Sequence, residues 1–283
     1  MTGALAAPPG LAYASEIDAF AHGEYQPHDG AQPPSFARRV ETPATPGRYH
    51  LYVSWASITS NHIAILRVLL GLQETVSLSY VDTLRDGRGW AFRTRTGADP
   101  VNGFTLLQQA YEASDPGFAG DVRVPLLWDR QTGSIVSDDP ATIIADLFDG
   151  FLRGPAPGLD TGAAVAAETD RLERAFAGEL NAVAALRDPS RRPGFRQALT
   201  ELDRRLAAQP YLLGDTMSDA DVRLWVRLAR LDAGPNASGV IGPRLDRYPH
   251  LWRWAKALYA HPAFHASTDF RRFAAPLADL PPW

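Results

Sequence analysis

The 283-residue sequence contains no cysteine at all. Thiolate catalysis, disulfides, iron–sulfur clusters and cysteine-built zinc sites are therefore excluded, whatever the fold. Lysine is almost as scarce. Lys256 is the only one, so arginine supplies nearly all the positive charge, a coding bias rather than a phosphate-binding device. The net charge of -4 gives no bulk basic character, which disfavours general nucleic-acid binding. No apolar run approaches the ~20 residues that span a bilayer. The opening segment, MTGALAAPPGLAYASEIDAF, lacks both the basic n-region and the continuous apolar core of a signal peptide. The expectation is a cytoplasmic protein with no nucleic-acid or membrane partner. His250, His261 and His265 show no metal-ligand spacing, and neither a Gly-rich phosphate loop nor a Gly-x-Ser-x-Gly elbow occurs, so no metal is expected.

What is present is ordinary for a globular chain, with 45% hydrophobic and 21% charged residues. The length suits two domains of roughly 100–200 residues each. Residues 1–45 are rich in Pro, Gly and Ala without periodicity. They read as an extended arm wrapping the first domain, with only FARRV (36–40) pairing or packing. In RYHLYVSWAS (48–57), Tyr49, Leu51, Val53 and Trp55 alternate at strand spacing. IAILRVLLGLQ (63–73) reads as a buried helix ending at Gly71, and VSLSYVDT (76–83) as a second strand. A long Gly-rich loop follows. VRVPLLWDRQTGSIVSDD (122–139) then predicts a hairpin turning at Arg130–Gly133, and residues 139–152 a helix. The predicted order over residues 46–152 is strand–helix–strand–strand–strand–helix. A Pro/Gly linker at 153–162 separates this from an all-helical region, 163–283, with helices at 163–186, 195–208, 218–233 and 248–260. Ser218 and Asp221 have the spacing of a capping box, flanked by Met217 and Val222 as a hydrophobic staple. Its expected role is structural.

GRYHLYVSWAS (47–57), GWAF (89–92), the stretch from Tyr111 to Val136, YLLGDTMSDADVRLWVRLARLD (211–232) and YPHLWRWAKALY (248–259) together resemble the glutathionyl-hydroquinone reductases, the Xi class of glutathione S-transferases. The resemblance runs over roughly residues 35–265. It implies an α/β thioredoxin-like N-terminal domain followed by an all-α C-terminal domain. It also implies glutathione or another low-molecular-weight thiol as ligand, a small-molecule substrate, and a homodimer. The catalytic segment of the class, Cys-Pro-Trp-Ala-His-Arg, falls here on Ser57-Ile58-Thr59-Ser60-Asn61-His62.

The resemblance carries the ligand contacts of the class onto Ser57, Trp90, Val124, Pro125 and Asp139. Serine cannot repeat thiolate attack on a thioether sulfur, because an alkoxide is far too basic and oxygen makes no mixed disulfide. Ser57 is thus either a hydrogen-bond donor that activates a bound thiolate or a plain helix cap. Trp90 either packs on the ligand or fills the core. Val124-Pro125 matches the Val-Pro pair whose cis bond leaves the preceding backbone open to a peptide ligand. The Glu-Ser pair that clasps the γ-glutamyl end falls on Asp139-Pro140. The carboxylate survives there, while proline removes a hydroxyl and an N–H and suits the first turn of a helix after an Asp cap. Asp138 and Asp139 are adjacent, so their side chains point apart. His62 has either a site role or a place at solvent or an interface. Both tyrosine sites of the class are absent from 180–195 and 269–283, leaving Trp283 and Phe273 as new pocket walls. Three functions follow as expectations. The first is a transferase-like enzyme that has lost cysteine-dependent reductase activity and uses Ser57 to assist a thiol. The second is a thiol-independent lyase, isomerase or cyclase tailoring a natural product. The third is a non-catalytic binding or dimerisation module.

Overall fold

The computed structural model describes residues 12–26, 32–41, 44–151, 158–176, 178, 180–274 and 282–283. The chain divides into two compact units, Met1–Arg67 with Leu72–Leu152, and Val68–Gly71 with Arg153–Trp283. Among the described residues no helix is long and apolar enough to cross a membrane.

The N-terminal unit is built on β1 (Tyr49–Ser54), β2 (Val76–Val81), β3 (Leu126–Asp129) and β4 (Ser134–Ser137), in the order β2-β1-β3-β4. β1 runs parallel to β2, while β3 is antiparallel to both β1 and β4. All six residues of β1 are buried, as its central place demands. The parallel β1–β2 pair is bridged by α2 (Ile58–Leu69), which starts earlier than the apolar run predicted and brings Ser60, Asn61 and His62 into the interior. Gly71, at φ 67°, turns the chain out of this helix. β3 and β4 form the expected hairpin, with Gly133 at φ 63° closing the turn.

One element departs from the predicted order. α3 (Gln108–Ser114) stands between β2 and β3, so the sequence of elements is β–α–β–α–β–β–α. Seven residues carry little periodicity, and Leu107 at the N-cap offers no capping side chain. The Gln109 side chain instead reaches back to the chain before the helix, accepting from the N–H groups of Thr105 and Leu106 at 2.8 and 3.0 Å. α4 (Pro140–Ala145) begins on an Asp139 cap and widens into a π-helical turn, Asp146–Phe151.

The arm lies against this unit. Short α1 (Ala19–His22) leads to Glu24, which bridges to Asp86. Gly87 makes this close approach possible, since a Cβ there would lie 2.0 Å from the His22 carbonyl oxygen. Further along, Ala37 bridges to Ser137, with Arg38 N–H donating to the Val136 carbonyl at 3.1 Å and Asp138 N–H to the Phe36 carbonyl at 2.8 Å. Phe36 also packs on an apolar cluster containing Tyr52, Trp90, Tyr111 and Leu126.

In the C-terminal unit the stretch expected as pure linker and helix contains a short parallel pair, β5 (Leu159–Asp160) with β6 (Met217–Ser218). The helices are α5 (Ala163–Phe176), α6 (Ala182–Arg187), α7 (Arg192–Ala208), α8 (Asp219–Ala233), α9 (Pro249–Tyr259) and α10 (Pro262–Ala266). The single helix expected over 163–186 is two, because Asn181 caps a fresh start by accepting from Ala184 N–H at 3.0 Å. The Ser218–Asp221 capping box forms. Asp221 also gathers Leu212 N–H and the Trp254 indole N–H, each at 2.9 Å, so one buried carboxylate ties α8, α9 and the chain before β6 together.

Candidate active site

The strand register brings the segments that carry the candidate residues to one end of the sheet. Ser54 pairs with Val81, Tyr52 with Leu126, and Leu127 with Ser137. The segments leaving β1, β2 and β4, and the one entering β3, therefore emerge at the same end of the sheet. Ser57 follows β1, Arg85 and Trp90 follow β2, Val124-Pro125 precede β3, and Asp139 follows β4. With neighbouring strands about 4.8 Å apart, this row crosses about 14 Å from the β2 side to the β4 side.

Ser57 sits at the head of α2. Its Oγ accepts from Ser60 N–H at 3.1 Å and lies 3.0 Å from Thr59 Oγ1. It is a helix cap and is half-buried, at the positive end of a 12-residue helix dipole. Val124-Pro125 is cis. Neither the N–H nor the carbonyl of Val124 is hydrogen-bonded to another described residue. Asp139 caps α4, its carboxylate accepting from Thr142 N–H at 3.0 Å, Thr142 Oγ1 at 2.6 Å and Ala141 N–H at 3.4 Å. Partial burial works to raise the Asp139 pKa, but the Thr142 hydroxyl and the helix N–H groups outweigh it and hold it below the ordinary value. Asp138 turns the other way, into the interior, and accepts from Phe36 N–H at 2.9 Å and Tyr111 Oη at 3.1 Å.

Trp90 is 7% exposed and belongs to the apolar cluster under this end of the sheet, against which Val124 also packs. The Arg85 guanidinium lies 4.4 Å from the Trp90 ring centre and 3.7 Å from that of Tyr25. His62 is buried on α2, not at solvent. Trp283 and Phe273 belong to the C-terminal unit. Trp283 packs with Trp225, Trp252, Tyr259 and Phe270. Phe273 lies beneath Arg230, whose pKa burial lowers to about 10. Both rings are thus engaged in an aromatic cluster of that unit.

Comparison with known proteins places this architecture. Residues 163–257 match the family model for the glutathione S-transferase C-terminal domain. The glutathionyl-hydroquinone reductase PcpF of Sphingobium chlorophenolicum is 32% identical over 228 residues, 76% of this chain and 73% of that protein. The chain belongs to the glutathione S-transferase superfamily. Within it the chain is Xi-like. The glutathione-bound structure of the Escherichia coli transferase homologue YqjG superposes with a TM-score of 0.73 at 27% identity, covering 81% of this chain and 79% of that one. The Xi transferase of Phanerochaete chrysosporium superposes with a TM-score of 0.75 at 26% identity, covering 86% and 90%.

Two residues near these strand ends escape a reading of the sequence. Tyr111 lies on the unpredicted α3. Its Oη donates to Asp138 and accepts from Arg123 N–H at 3.0 Å, so it links the segment entering β3 to the end of β4. Burial raises its pKa, with the Asp138 charge adding to the effect. Arg85 has a faint sequence signal. Residues 82–95 hold four arginines but only two acids, Asp82 and Asp86.

Proposed function

We propose that the protein binds glutathione, or another low-molecular-weight thiol, along the strand ends of its N-terminal unit and joins it to a small organic electrophile. The observation that carries this reading is the pairing of Ser57 with Val124. A half-buried hydroxyl at a helix N-terminus stands at the same sheet end as a cis Val-Pro whose backbone donor and acceptor are open to an extended peptide. The relatives' glutathione chemistry supports the same choice of ligand.

On this reading Ser57 Oγ keeps its acceptor bond from Ser60 N–H and donates a hydrogen bond to the thiolate sulfur. Together with the helix dipole this lowers the thiol pKa. The thiol proton leaves to solvent. The sulfur electron pair then forms the bond to the electrophilic carbon, whose own leaving group or π pair takes up the displaced electrons. Asp139 receives the ligand ammonium, and Val124 pairs with the cysteinyl backbone. Cysteine-dependent reduction of glutathionyl-hydroquinones is absent, since no thiolate of the protein exists to form the mixed disulfide.

Calorimetric titration with glutathione and a conjugation assay with 1-chloro-2,4-dinitrobenzene test this. Saturable heat and a Ser57→Ala loss of at least tenfold in conjugation rate are expected. Neither heat nor thermal shift on adding glutathione would sink the proposal. Turnover of a glutathionyl-hydroquinone would overturn the loss of reductase activity. A second reading, a thiol-independent lyase, isomerase or cyclase acting on a natural product, is favoured by one observation. The Asp139 carboxylate already holds three donors of its own helix, which weakens its hold on a γ-glutamyl ammonium.

A further inference from the structure

We infer that Thr59 is a positioning residue for the thiol chemistry proposed above: its hydroxyl donates to Ser57 Oγ and so commits the one Ser57 O–H to the bound sulfur. This rests on the thiol-binding reading and names the group that decides which way the Ser57 hydroxyl points.

A serine hydroxyl has one proton and two lone pairs. Free to rotate, it can aim that O–H at any nearby acceptor, and an O–H aimed elsewhere gives nothing to a thiolate. Two contacts restrain Ser57. Its Oγ accepts from Ser60 N–H at 3.1 Å, and Thr59 Oγ1 lies 3.0 Å away. Residues two apart inside a helix do not face each other. Ser57 and Thr59 meet because Ser57 precedes Ile58, the first residue of α2, and its side chain folds back over the first turn as a cap. Ser60, the third hydroxyl of this turn, is 1% exposed and its Oγ has no hydrogen bond to a described residue. Thr59 is exposed and Ser57 half-buried, so the bonded pair of hydroxyls is the one a ligand can reach.

Between two hydroxyls either oxygen can donate. A thiolate removes that freedom, because its sulfur only accepts. With the Ser57 O–H turned to the sulfur, Thr59 is the donor of the pair, and Ser57 Oγ holds a donor on each lone pair. An oxygen that accepts two hydrogen bonds is polarised and donates its own more strongly. Both protons stay on their own oxygens throughout. Without the Thr59 hydroxyl, Ser57 keeps its cap, but its O–H is no longer held toward the ligand. The class segment Cys-Pro-Trp, laid on Ser57-Ile58-Thr59, puts tryptophan at this position, so the hydroxyl pair is particular to this chain.

The test is the pH profile of glutathione conjugation to 1-chloro-2,4-dinitrobenzene, with the ultraviolet absorbance of the bound thiolate read on the glutathione complexes. Wild type is compared with Thr59→Val, Thr59→Ser, Ser57→Ala and the double variant Ser57→Ala/Thr59→Val. Valine keeps the branched shape at an exposed position and removes only the hydroxyl, so thermal unfolding should match wild type. The Thr59→Val rate at neutral pH should fall about fivefold, with the thiol titrating at higher pH and the loss shrinking as pH rises. Thr59→Ser should recover most of it. On the Ser57→Ala background the same change should cost about twofold at most, because Thr59 acts through Ser57. No loss in Thr59→Val, a loss equal at every pH, or an equal loss on both backgrounds overturns the inference and leaves the thiol reading standing. Wild type that binds no glutathione sinks the thiol reading, and this inference with it.

Discussion

Asp221 in the C-terminal unit and Asp86 in the N-terminal unit are both fully buried, yet they are satisfied by opposite kinds of partner. Asp221 is surrounded by neutral donors, namely the N–H groups of Leu212 and Ser218, the Ser218 hydroxyl and the Trp254 indole. Burial outweighs those four bonds and raises its pKa. Asp86 is gripped by Arg88 and approached by Arg93, and the Arg88 hydrogen bonds lead in pushing its pKa down to about 2. Hydrogen bonds alone fill lone pairs, whereas a guanidinium also offsets the lost hydration of the charge. The first arrangement fastens helices together. The second holds the loop that follows β2 in one shape.

Breaking Asp221 should produce the largest effect. Asp221→Ala orphans four buried donors, and a loss of about 3–5 kcal/mol is expected from urea unfolding. The pH dependence sharpens the contrast, because the two aspartates have opposite signs. The folded pKa of Asp86 is depressed, so its contribution is complete above the ordinary value of 3.8 and is lost as pH falls toward about 2. That is on the order of 2 kcal/mol. The folded pKa of Asp221 is raised, so its contribution is complete below 3.8 and declines as pH rises through the folded value. Stability measured against pH should show a shallower acid limb in Asp86→Asn and a flatter profile above pH 3.8 in Asp221→Asn. The same slope in both variants would erase the distinction.

Within the N-terminal unit, Tyr111→Phe deletes the donor to Asp138 and the acceptor for Arg123 N–H. A loss of about 1–3 kcal/mol is expected in denaturant titrations, and on the proposed thiol reading glutathione binding should weaken too, since both ends of its bridge lie beside the strand ends. Ser57→Ala is the mildest. As a half-buried cap it should cost about 1 kcal/mol, while the proposed thiol activation predicts a rate loss far beyond that. Equal losses in stability and rate would leave Ser57 a cap and nothing more.

How much was legible in the sequence follows from how local each signal is. β1, β2 and the β3–β4 hairpin announced themselves through alternation and a Gly-bearing turn, and the Ser218–Asp221 box through spacing over three residues. α3 is a single short helix whose start carries no capping side chain, so it has neither a periodic nor a cap signature. The break between α5 and α6 depended on one asparagine. Ser57, Val124, Pro125 and Asp139 were named from resemblance, and the strand register brings their segments to one end of the sheet. The clamp on Arg85 joins Tyr25 to Trp90, residues far apart in the chain, and such a contact becomes visible only when the arm is in place.

The arm has one more consequence. By pairing Ala37 with Ser137 and bonding through Arg38 and Asp138, it covers the outer side of β4, the last strand of the sheet. An uncovered strand of that kind recruits whatever backbone comes next, including that of a sibling molecule. The segment around Phe36 therefore guards an edge open to self-templated pairing, and a truncated chain starting beyond it is expected to aggregate more readily, as light scattering would show.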